Sequence, residues 1–289
     1  MTQKVAFIIN PKAGVKKKIN VEEFISANFS KSIPFDLIVW KNKDDFDSIK
    51  QRVLNDGYTI AVACGGDGTV NQVAAVLSGT NIALGILPLG SGNGLARSNK
   101  IPMDLLKALK VIEHARTHKI DVGSINNTPF FCTAGVGFDA LIATKFATSS
   151  KRGFATYVKT TVREYFGYKP HSYTVQIDGK TFKTRAFLIT VANAGQWGNN
   201  VYIAPHASMN DGLLHVTVLK PFTKMALPLI VTRLMARKIN TSPKFKSYDG
   251  KKIEISFHGE LPAHFDGEPM TAKGHISIEI KPLALNVVC

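Results

Sequence analysis

The 289-residue sequence has few cysteines, few acidic residues and no long apolar run. Its three cysteines, Cys64, Cys132 and Cys289, are widely spaced without a CxxC pair, which argues against a disulfide framework and a thiolate zinc site. The longest apolar cluster, residues 225–231, is far shorter than the roughly 20 residues that cross a bilayer. No signal-like apolar stretch follows Met1. We therefore expect a cytoplasmic protein.

Negative charge is scarce as well. The chain has 21 Asp and Glu residues against 36 Lys and Arg, a formal net charge of +15. Residues 1–122 carry 16 basic and 11 acidic residues, whereas residues 123–289 carry 20 and 10. Such an excess favours an anionic partner, which could be a nucleotide, a nucleic acid or a membrane surface. Charge does not choose among them, but it predicts that the second half meets the larger anionic surface.

Hydrophobic periodicity predicts two domains. Residues 1–122 alternate apolar strands with helices, including a helix that starts at Pro102, and this alternation is typical of an α/β domain with a mainly parallel sheet. Residues 123–289 contain Asp-Gly turns and further strands, with helical inserts near 139–166 and 222–238, which predicts a mainly antiparallel, sandwich-like β-domain. A hairpin is expected from Ser172–Ile177 and Thr181–Val191.

Three glycine-containing loops follow strands of the first domain, and they lack two familiar nucleotide motifs. The loops are 10–14, 65–69 and 90–94; the third misses the last glycine of GxGxxG, and no GxxxxGK[ST] occurs. Glycines at strand-to-helix turns let phosphate approach the backbone N–H groups. Asp67 in the second loop would repel phosphate unless it meets a metal ion or takes a proton. The structural alternative is an ordinary tight turn.

The combined motifs resemble the diacylglycerol kinase catalytic-domain family, which includes bacterial soluble lipid kinases and sphingosine and ceramide kinases and is more distantly related to NAD kinase. The motifs carrying this resemblance extend over nearly the whole chain. They are NPxxG from Asn10, GGDGTVNQV from Gly65, LPLGSGN from Leu87, AGVGFDA from Ala134, APxAxxxDGLL from Ala204 and FDGEP from Phe265. Gly94 and Leu95 stand where many bacterial members have Asp, which leaves the lipid class open.

The resemblance implies ATP-dependent phosphorylation of a lipid hydroxyl, with Mg²⁺, in a cleft between the domains. The acceptor would be diacylglycerol-like or sphingoid or ceramide-like. Family analogy assigns the nucleotide to residues of the loops and to Trp40 or Lys41 at the end of the second strand. The implied nucleotide-binding residues are Asn10, Pro11, Gly14, Trp40, Gly65, Gly66, Asp67, Gly68, Thr69, Asn71, Gly90, Ser91, Gly92 and Asn93.

The same resemblance implies the catalytic and metal sites. Asp266 is favoured as general base, Glu268 is the next candidate, and Asp67 is expected on the metal side of the nucleotide. The alternative for Asp266 is a purely structural role in another Asp-Gly hairpin turn. A structural Mg²⁺ site, or Ca²⁺ as the alternative ion, would use Asp211 with the carbonyls of Ser208 and Leu213. Asp139 either joins the active site or caps a helix.

Two segments mix basic with apolar residues, Lys145–Lys169 and Lys224–Lys238. Such a mixture suits an anionic membrane surface, although an ordinary helix with an apolar core face explains it equally well. We expect a peripheral membrane enzyme without a nucleic-acid partner, and a homodimer is compatible with this hypothesis. The alternatives are a soluble-substrate kinase of the NAD kinase type and a non-catalytic basic protein that binds nucleotide or nucleic acid.

Overall fold

The computed structural model describes residues 3–11, 19–42, 45–148 and 154–289, without the side chains of 154–158. The chain divides into two compact units. Unit 1 comprises residues 1–120 and 283–289, and unit 2 comprises residues 121–282. No helix in the described ranges is long and apolar enough to cross a membrane.

Unit 1 is an α/β unit built on parallel strands, as the alternating pattern predicted. The strand order is β4-β3-β1-β2, and the C-terminal end of β16 runs parallel to β4 through Val287 and Leu84. The strands β1, β3 and β4 are fully buried because they are continuous apolar runs. In chain order, the elements are β1 (Val5–Ile9), α1 (Val21–Asn28), β2 (Phe35–Val39), α2 (Asp45–Asn55), β3 (Ile60–Gly65), α3 (Asp67–Leu77), β4 (Ala83–Pro88), α4 (Gly94–Ser98) and α5 (Leu105–His114).

Unit 2 is mainly antiparallel, which confirms the predicted sandwich-like β-domain. The neighbours β14-β13-β10-β7-β15 follow one another in one sheet, and β8 and β9 pair beside β15. Its elements are β5 (Thr117–Ile125), β6 (Thr128–Phe130), β7 (Thr133–Gly137), α6 (Phe138–Ala147), α7 (Phe154–Tyr165), β8 (His171–Ile177), β9 (Lys180–Ala186), β10 (Leu188–Ala192), β11 (Gln196–Gly198), β12 (Val201–Tyr202), β13 (Leu214–Leu219), α8 (Leu227–Met235), β14 (Phe245–Gly250), β15 (Lys252–Phe265) and β16 (Glu268–Val288). Of these, β5 begins in unit 1 and β16 ends there.

Two predicted elements need correction. The expected hairpin strand Thr181–Val191 is two strands, because β9 ends at Ala186 and β10 pairs instead with β7 and β13. The helix expected from Pro102 begins at Leu105, because the Asp104 side chain accepts the backbone N–H of Lys107 and caps the helix there.

Candidate functional site

Residues 10 and 11 of the first predicted loop and the second and third loops lie at one edge of the parallel sheet of unit 1, where β1, β3 and β4 end. Direct hydrogen bonds join them. The Asn10 side chain donates to Thr69 Oγ1 at 3.1 Å, and the backbone N–H of Leu89 donates to the carbonyl of Gly65 at 2.9 Å. These contacts bring the loops after the three strands together into one surface. Carboxyl ends of parallel strands are the usual position of ligand sites in α/β folds.

Glycine is required where the second and third loops approach each other. A Cβ atom on Gly90 would lie 2.7 Å from the Cα atom of Gly66, and one on Gly92 would lie 2.6 Å from Asp67 Oδ2. Such distances are closer than real Cβ contacts, so a side chain on Gly90 would push the two backbones apart, and one on Gly92 would displace the Asp67 carboxylate. The glycines therefore bring backbone amide groups near each other at the start of α3.

Asp67 holds this arrangement together. Its Oδ1 accepts the backbone N–H of Gly94 at 2.7 Å, and its Oδ2 accepts that of Asn93 at 3.0 Å. We call these three residues the Asp67 clamp. Asp67 is the first residue of α3, where a carboxylate is also stabilised by the helix dipole. Each oxygen accepts one of these bonds and retains a lone pair, so the carboxylate remains able to contact a cation.

Two buried polar atoms lie near the clamp without partners in the described ranges. They are Asn71 Nδ2, in the second turn from the start of α3, and Asn93 Oδ1. The other side-chain atom of Asn93, Nδ2, donates to the carbonyl of Gly90 at 2.8 Å. A buried donor without a partner is costly, and a phosphate oxygen is an acceptor that would satisfy it. This observation fits a nucleotide at the loops.

The remaining predicted nucleotide residues have different settings. Ser91 and Pro11 are exposed, Gly68 is in the first turn of α3, and Gly14 lies outside the described residues. Trp40 is buried after β2: its indole N–H donates to the carbonyl of Asn42 at 2.6 Å, and its ring centroid lies 4.8 Å from that of Phe46. In this arrangement Trp40 packs within unit 1.

The carboxylate of Asp266 in unit 2 is held by backbone amides. Its Oδ1 accepts the N–H groups of Cys132 and Thr133 at 2.7 and 2.9 Å, and its Oδ2 accepts that of Phe131 at 2.7 Å. Burial raises the pKa of Asp266 to about 6, although the three N–H bonds and the nearby His264 act in the opposite direction. Asp266 is therefore tied to the turn before β7.

Asp266 and Gly267 also form the turn that joins β15 to β16. Their φ angles are 48° and 82°, close to the 45° and 85° of Asp178 and Gly179 between β8 and β9. Positive φ at both central residues is what a tight two-residue hairpin requires. The Asp-Gly hairpin turn, which the sequence offered as the alternative for Asp266, therefore describes the backbone correctly. It does not explain why the Asp266 side chain binds the backbone amides before β7.

Glu268 follows this turn and is exposed. It opens β16 opposite Phe265 of β15, so its backbone position is fixed by the ladder. Among the described residues, no hydrogen bond or ion pair to its carboxylate is found. Asp266 and Glu268 thus have different surroundings although they are two residues apart, since the first is tied to backbone amides and the second faces solvent.

A buried polar group that the sequence reasoning largely missed lies on the strands next to this hairpin. Asp139 Oδ2 accepts the hydroxyl of Thr190 at 2.7 Å and lies 3.2 Å from His264 Nε2. The other ring nitrogen of His264, Nδ1, is buried without a partner in the described part of the chain. Asp139 is in the first turn of α6. Its carboxylate therefore links that helix to the strand leading into the Asp266 turn.

The structure shows contacts of Asp211 that do not need a metal. Its Oδ1 accepts the backbone N–H of Leu213 at 3.0 Å, and its Oδ2 lies 3.3 Å from Nε2 of His215, whose Nδ1 lies 2.8 Å from Asp249. The Ser208 hydroxyl donates to Asn210 at 2.8 Å. In the described ranges, no group of three or more His, Cys, Asp or Glu residues could hold a metal ion. The site from Ser208, Asp211 and Leu213 stays a prediction.

Asp121 was not singled out from the sequence, although it is a fully buried carboxylate. Its Oδ2 accepts the N–H of Gly212 at 2.7 Å, and its carbonyl accepts the side chain of Asn193 at 2.8 Å. Asn193 also donates to the carbonyl of Phe131 at 2.9 Å, next to the amides that bind Asp266. An acidic residue between Ile120 and Val122 in an apolar strand was the available signal.

Family models match most of the chain. Residues 4–125 match the diacylglycerol kinase catalytic domain, and residues 132–289 match the YegS C-terminal NAD kinase beta sandwich-like domain. Among curated proteins, the "Probable lipid kinase YegS-like" of Klebsiella pneumoniae is 32% identical over 253 residues, which are 86% of this chain and 83% of that protein. The protein of the same name from Cronobacter sakazakii is 30% identical over 260 residues, 87% and 85% of the two chains.

Solved structures share the fold at low sequence identity. A diacylglycerol kinase from Bacillus anthracis superposes with a TM-score of 0.76 at 19% identity, covering 99% of this chain and 96% of that one. An NAD kinase from Archaeoglobus fulgidus in complex with ATP superposes with a TM-score of 0.57 at 14% identity, covering 99% and 94%. These likenesses establish the two-part fold of an α/β unit and a β-sandwich-like unit.

Proposed function

Because the chain belongs to the diacylglycerol kinase catalytic-domain family, as its motifs predicted, we propose that it is an ATP-dependent lipid kinase. It transfers the γ-phosphate of ATP to the hydroxyl of a diacylglycerol-like or a sphingoid or ceramide-like acceptor. The Asp67 clamp is the observation that carries this proposal. It fixes two glycine loops side by side at the start of a helix, and backbone amides in that position suit phosphate.

In this proposal the residues of unit 1 bind the nucleotide. Amides at the start of α3 and the side chain of Asn71 donate to phosphate oxygens, and the contact between Asn10 and Thr69 keeps the first two loops together. Mg²⁺ binds through one or two carboxylates together with substrate phosphates and neutralises their charge. Asp67 is the carboxylate that would hold it. The fold-sharing NAD kinase was solved with ATP, which is compatible with this assignment.

Unit 2 supplies the group that accepts the hydroxyl proton. A general base must reach the substrate, so an exposed carboxylate is better placed than one occupied by three amides. We therefore assign the base to Glu268 and make Asp266 a positioning residue, which reverses the order suggested by sequence reasoning. Asp266 fixes the turn before β16, and the turn fixes the backbone of Glu268.

Radiolabelled phosphate transfer from ATP with Mg²⁺ tests these roles across diacylglycerol, ceramide, sphingosine and NAD. Glu268→Gln should lower kcat by about 10²-fold or more, because a general base contributes on that scale. Asp67→Asn should weaken ATP binding, because the amide replaces a metal-side charge and puts N–H groups against the amides of Asn93 and Gly94. Glu260→Gln is the matched control, since this exposed residue lies on the neighbouring strand.

Each result bears on a different part of the proposal. Full activity of Glu268→Gln would overturn the base assignment, and full ATP affinity of Asp67→Asn would overturn the metal-side role. Transfer to NAD but to no lipid would overturn the lipid kinase proposal in favour of a soluble-substrate kinase. Salt-sensitive binding of nucleic acid without any ATP turnover would favour a non-catalytic binding protein. A cytoplasmic location with peripheral membrane association is part of the same proposal.

A further inference from the structure

Helix α8 (Leu227–Met235) is apolar on both its faces. Ile230 and Leu234 are buried against unit 2, as expected for the inner face of a surface helix. The outer face is also apolar: Leu229 is 52% exposed and Met235 is 60% exposed, and Met225 in the 3₁₀ turn before the helix is 93% exposed. The face that a surface helix exposes to water is normally polar. This face therefore suits an environment less polar than water.

The end of α7 extends the apolar face. The ring of Tyr165 stacks on that of Phe222 with centroids 5.8 Å apart, and Lys224 Nζ lies 5.2 Å from the ring centroid of Phe166. These contacts place Phe166, which is 59% exposed, beside the 3₁₀ turn that carries Met225. We call Phe166, Met225, Leu229 and Met235 the α8 surface. A concentration of exposed apolar side chains on neighbouring segments indicates an interaction site, whereas singly scattered apolar residues do not.

The segment around the α8 surface is strongly basic. Residues 212–248 contain seven Lys and Arg residues and no Asp or Glu. Lys224 and Lys238 are exposed, and they lie just before and just after the helix. The guanidinium of Arg237 lies 4.0 Å from the ring centroid of Tyr202, so this cation is held at the end of α8. The apolar residues are thus flanked by positive charge that no acidic residue of the segment offsets.

This combination favours an anionic lipid surface over other partners. Aliphatic and thioether side chains enter the boundary between headgroups and acyl chains, while nearby cations attract anionic headgroups. Single-stranded nucleic acid is bound mainly by stacking on aromatic rings, and Phe166 is the one aromatic residue of the α8 surface. A second copy of the chain would bring seven further positive charges to the same place. The charge pattern and the apolar face therefore agree on one partner.

We propose that the α8 surface docks the protein on an anionic bilayer, with Met225 and Leu229 inserted and Lys224 and Lys238 contacting headgroups. The inference rests on the proposed function in one respect: a lipid kinase must reach an acceptor lipid that lies in the bilayer. The inference adds two points to that function: the α8 surface is the part of unit 2 that contacts the membrane, and the membrane must contain anionic lipid.

Sedimentation with vesicles tests the docking directly. The full chain should partition onto vesicles of phosphatidylglycerol and phosphatidylcholine and much less onto phosphatidylcholine alone. Met225→Ser/Leu229→Ser should lower the partition coefficient about tenfold or more by removing apolar contact. Lys224→Gln/Lys238→Gln should lower it about tenfold at low salt, and this loss should shrink as salt screens the charges.

Matched controls come from exposed residues elsewhere. Leu106→Ser removes an apolar side chain that is 51% exposed on α5, and Lys180→Gln/Lys183→Gln removes two exposed cations on β9. Both should bind vesicles within about twofold of the parent protein. Circular dichroism and thermal unfolding establish that every variant is folded. Parent-like vesicle binding by both α8 double variants would overturn the inference, as would self-association that the serine variant abolishes without any change in vesicle binding.

Phosphate transfer separates this inference from the proposed function. The α8 variants should lose transfer to an acceptor embedded in anionic vesicles and keep transfer to a short-chain acceptor dispersed in detergent. If no acceptor is phosphorylated by any variant or by the parent, the lipid kinase proposal fails, and loss of vesicle binding in the α8 variants still supports the docking surface. If detergent-dispersed transfer is intact and vesicle binding is unaffected, the docking inference alone fails.

Discussion

At the scale of single residues, Asp266 shows how a motif carboxylate can act through the backbone. Removing its side chain leaves the N–H groups of Phe131, Cys132 and Thr133 without their acceptor. Asp266→Ala should therefore lower the free energy of unfolding by about 2–4 kcal/mol. Asp266→Asn should cost less, because Asn also tolerates positive φ and keeps one acceptor oxygen. Urea denaturation of the two variants measures the difference, and equal losses would contradict the role of the amides.

The raised pKa of Asp266 gives the same residue a signature in pH. Its folded pKa of about 6 exceeds the ordinary aspartate pKa of 3.8, so the folded state binds the proton more tightly than the unfolded state. The free energy of unfolding should therefore fall as pH rises from about 4 to about 6, by roughly 2 kcal/mol from this group. Asp266→Asn should lack this part of the pH dependence. The measured quantity is the free energy of unfolding of the parent protein minus that of Asp266→Asn at each pH. If this difference rises or stays constant between about pH 4 and about pH 6, the raised pKa of Asp266 is contradicted.

At the scale of elements, the spacing between two loops depends on Gly90. Gly90→Ala would place a Cβ 2.7 Å from the Cα atom of Gly66, and neither backbone can give way without parting the loops. We expect ATP affinity to fall about tenfold or more, because the phosphate-binding amides lose their alignment. Calorimetric titration with ATP and Mg²⁺ checks this. Gly167→Ala is the control, since a Cβ there meets no atom within 4 Å and should leave ATP affinity unchanged.

The elements also show what local sequence can and cannot predict. The strands β1 to β4 and the helices α1, α2, α3 and α5 of unit 1 were predictable because each is a short apolar run or a helix-periodic segment between turn residues. The break at Phe187 was missed because the chain is rich in strand-forming residues on both sides of it, and the two strands are distinguished by their partners: β9 pairs with β8, whereas β10 pairs with β7 and β13. Likewise, the Asp-Gly pair predicted the turn at Asp266, but its three donors lie more than 130 residues away.

At the scale of the whole molecule, the six motifs together identified the family, although each motif alone was weak evidence for it. Their residues occur in both units, and this order along the chain made a chance resemblance improbable. The roles of individual carboxylates were harder to assign, because Asp67, Asp266 and Glu268 are all acidic residues beside glycines in sequence. Contacts separate them: Asp67 joins two loops, Asp266 joins a turn to a strand, and Glu268 faces solvent.

The last strand makes a prediction about stability of the nucleotide unit. Residues 283–289 belong to unit 1, where Leu285 and Val287 are fully buried and Val287 pairs with Leu84 of β4. Leu285→Ala should cost about 2–5 kcal/mol, the range for a leucine removed from a core. Because this loss falls on unit 1, added ATP and Mg²⁺ should recover part of it by binding the folded state. Leu283→Ala is the control, since that side chain is 48% exposed and its loss should cost far less. Thermal unfolding of both variants, with and without nucleotide, measures these effects. If Leu285→Ala unfolded like the parent, the last strand would not be part of the core of unit 1.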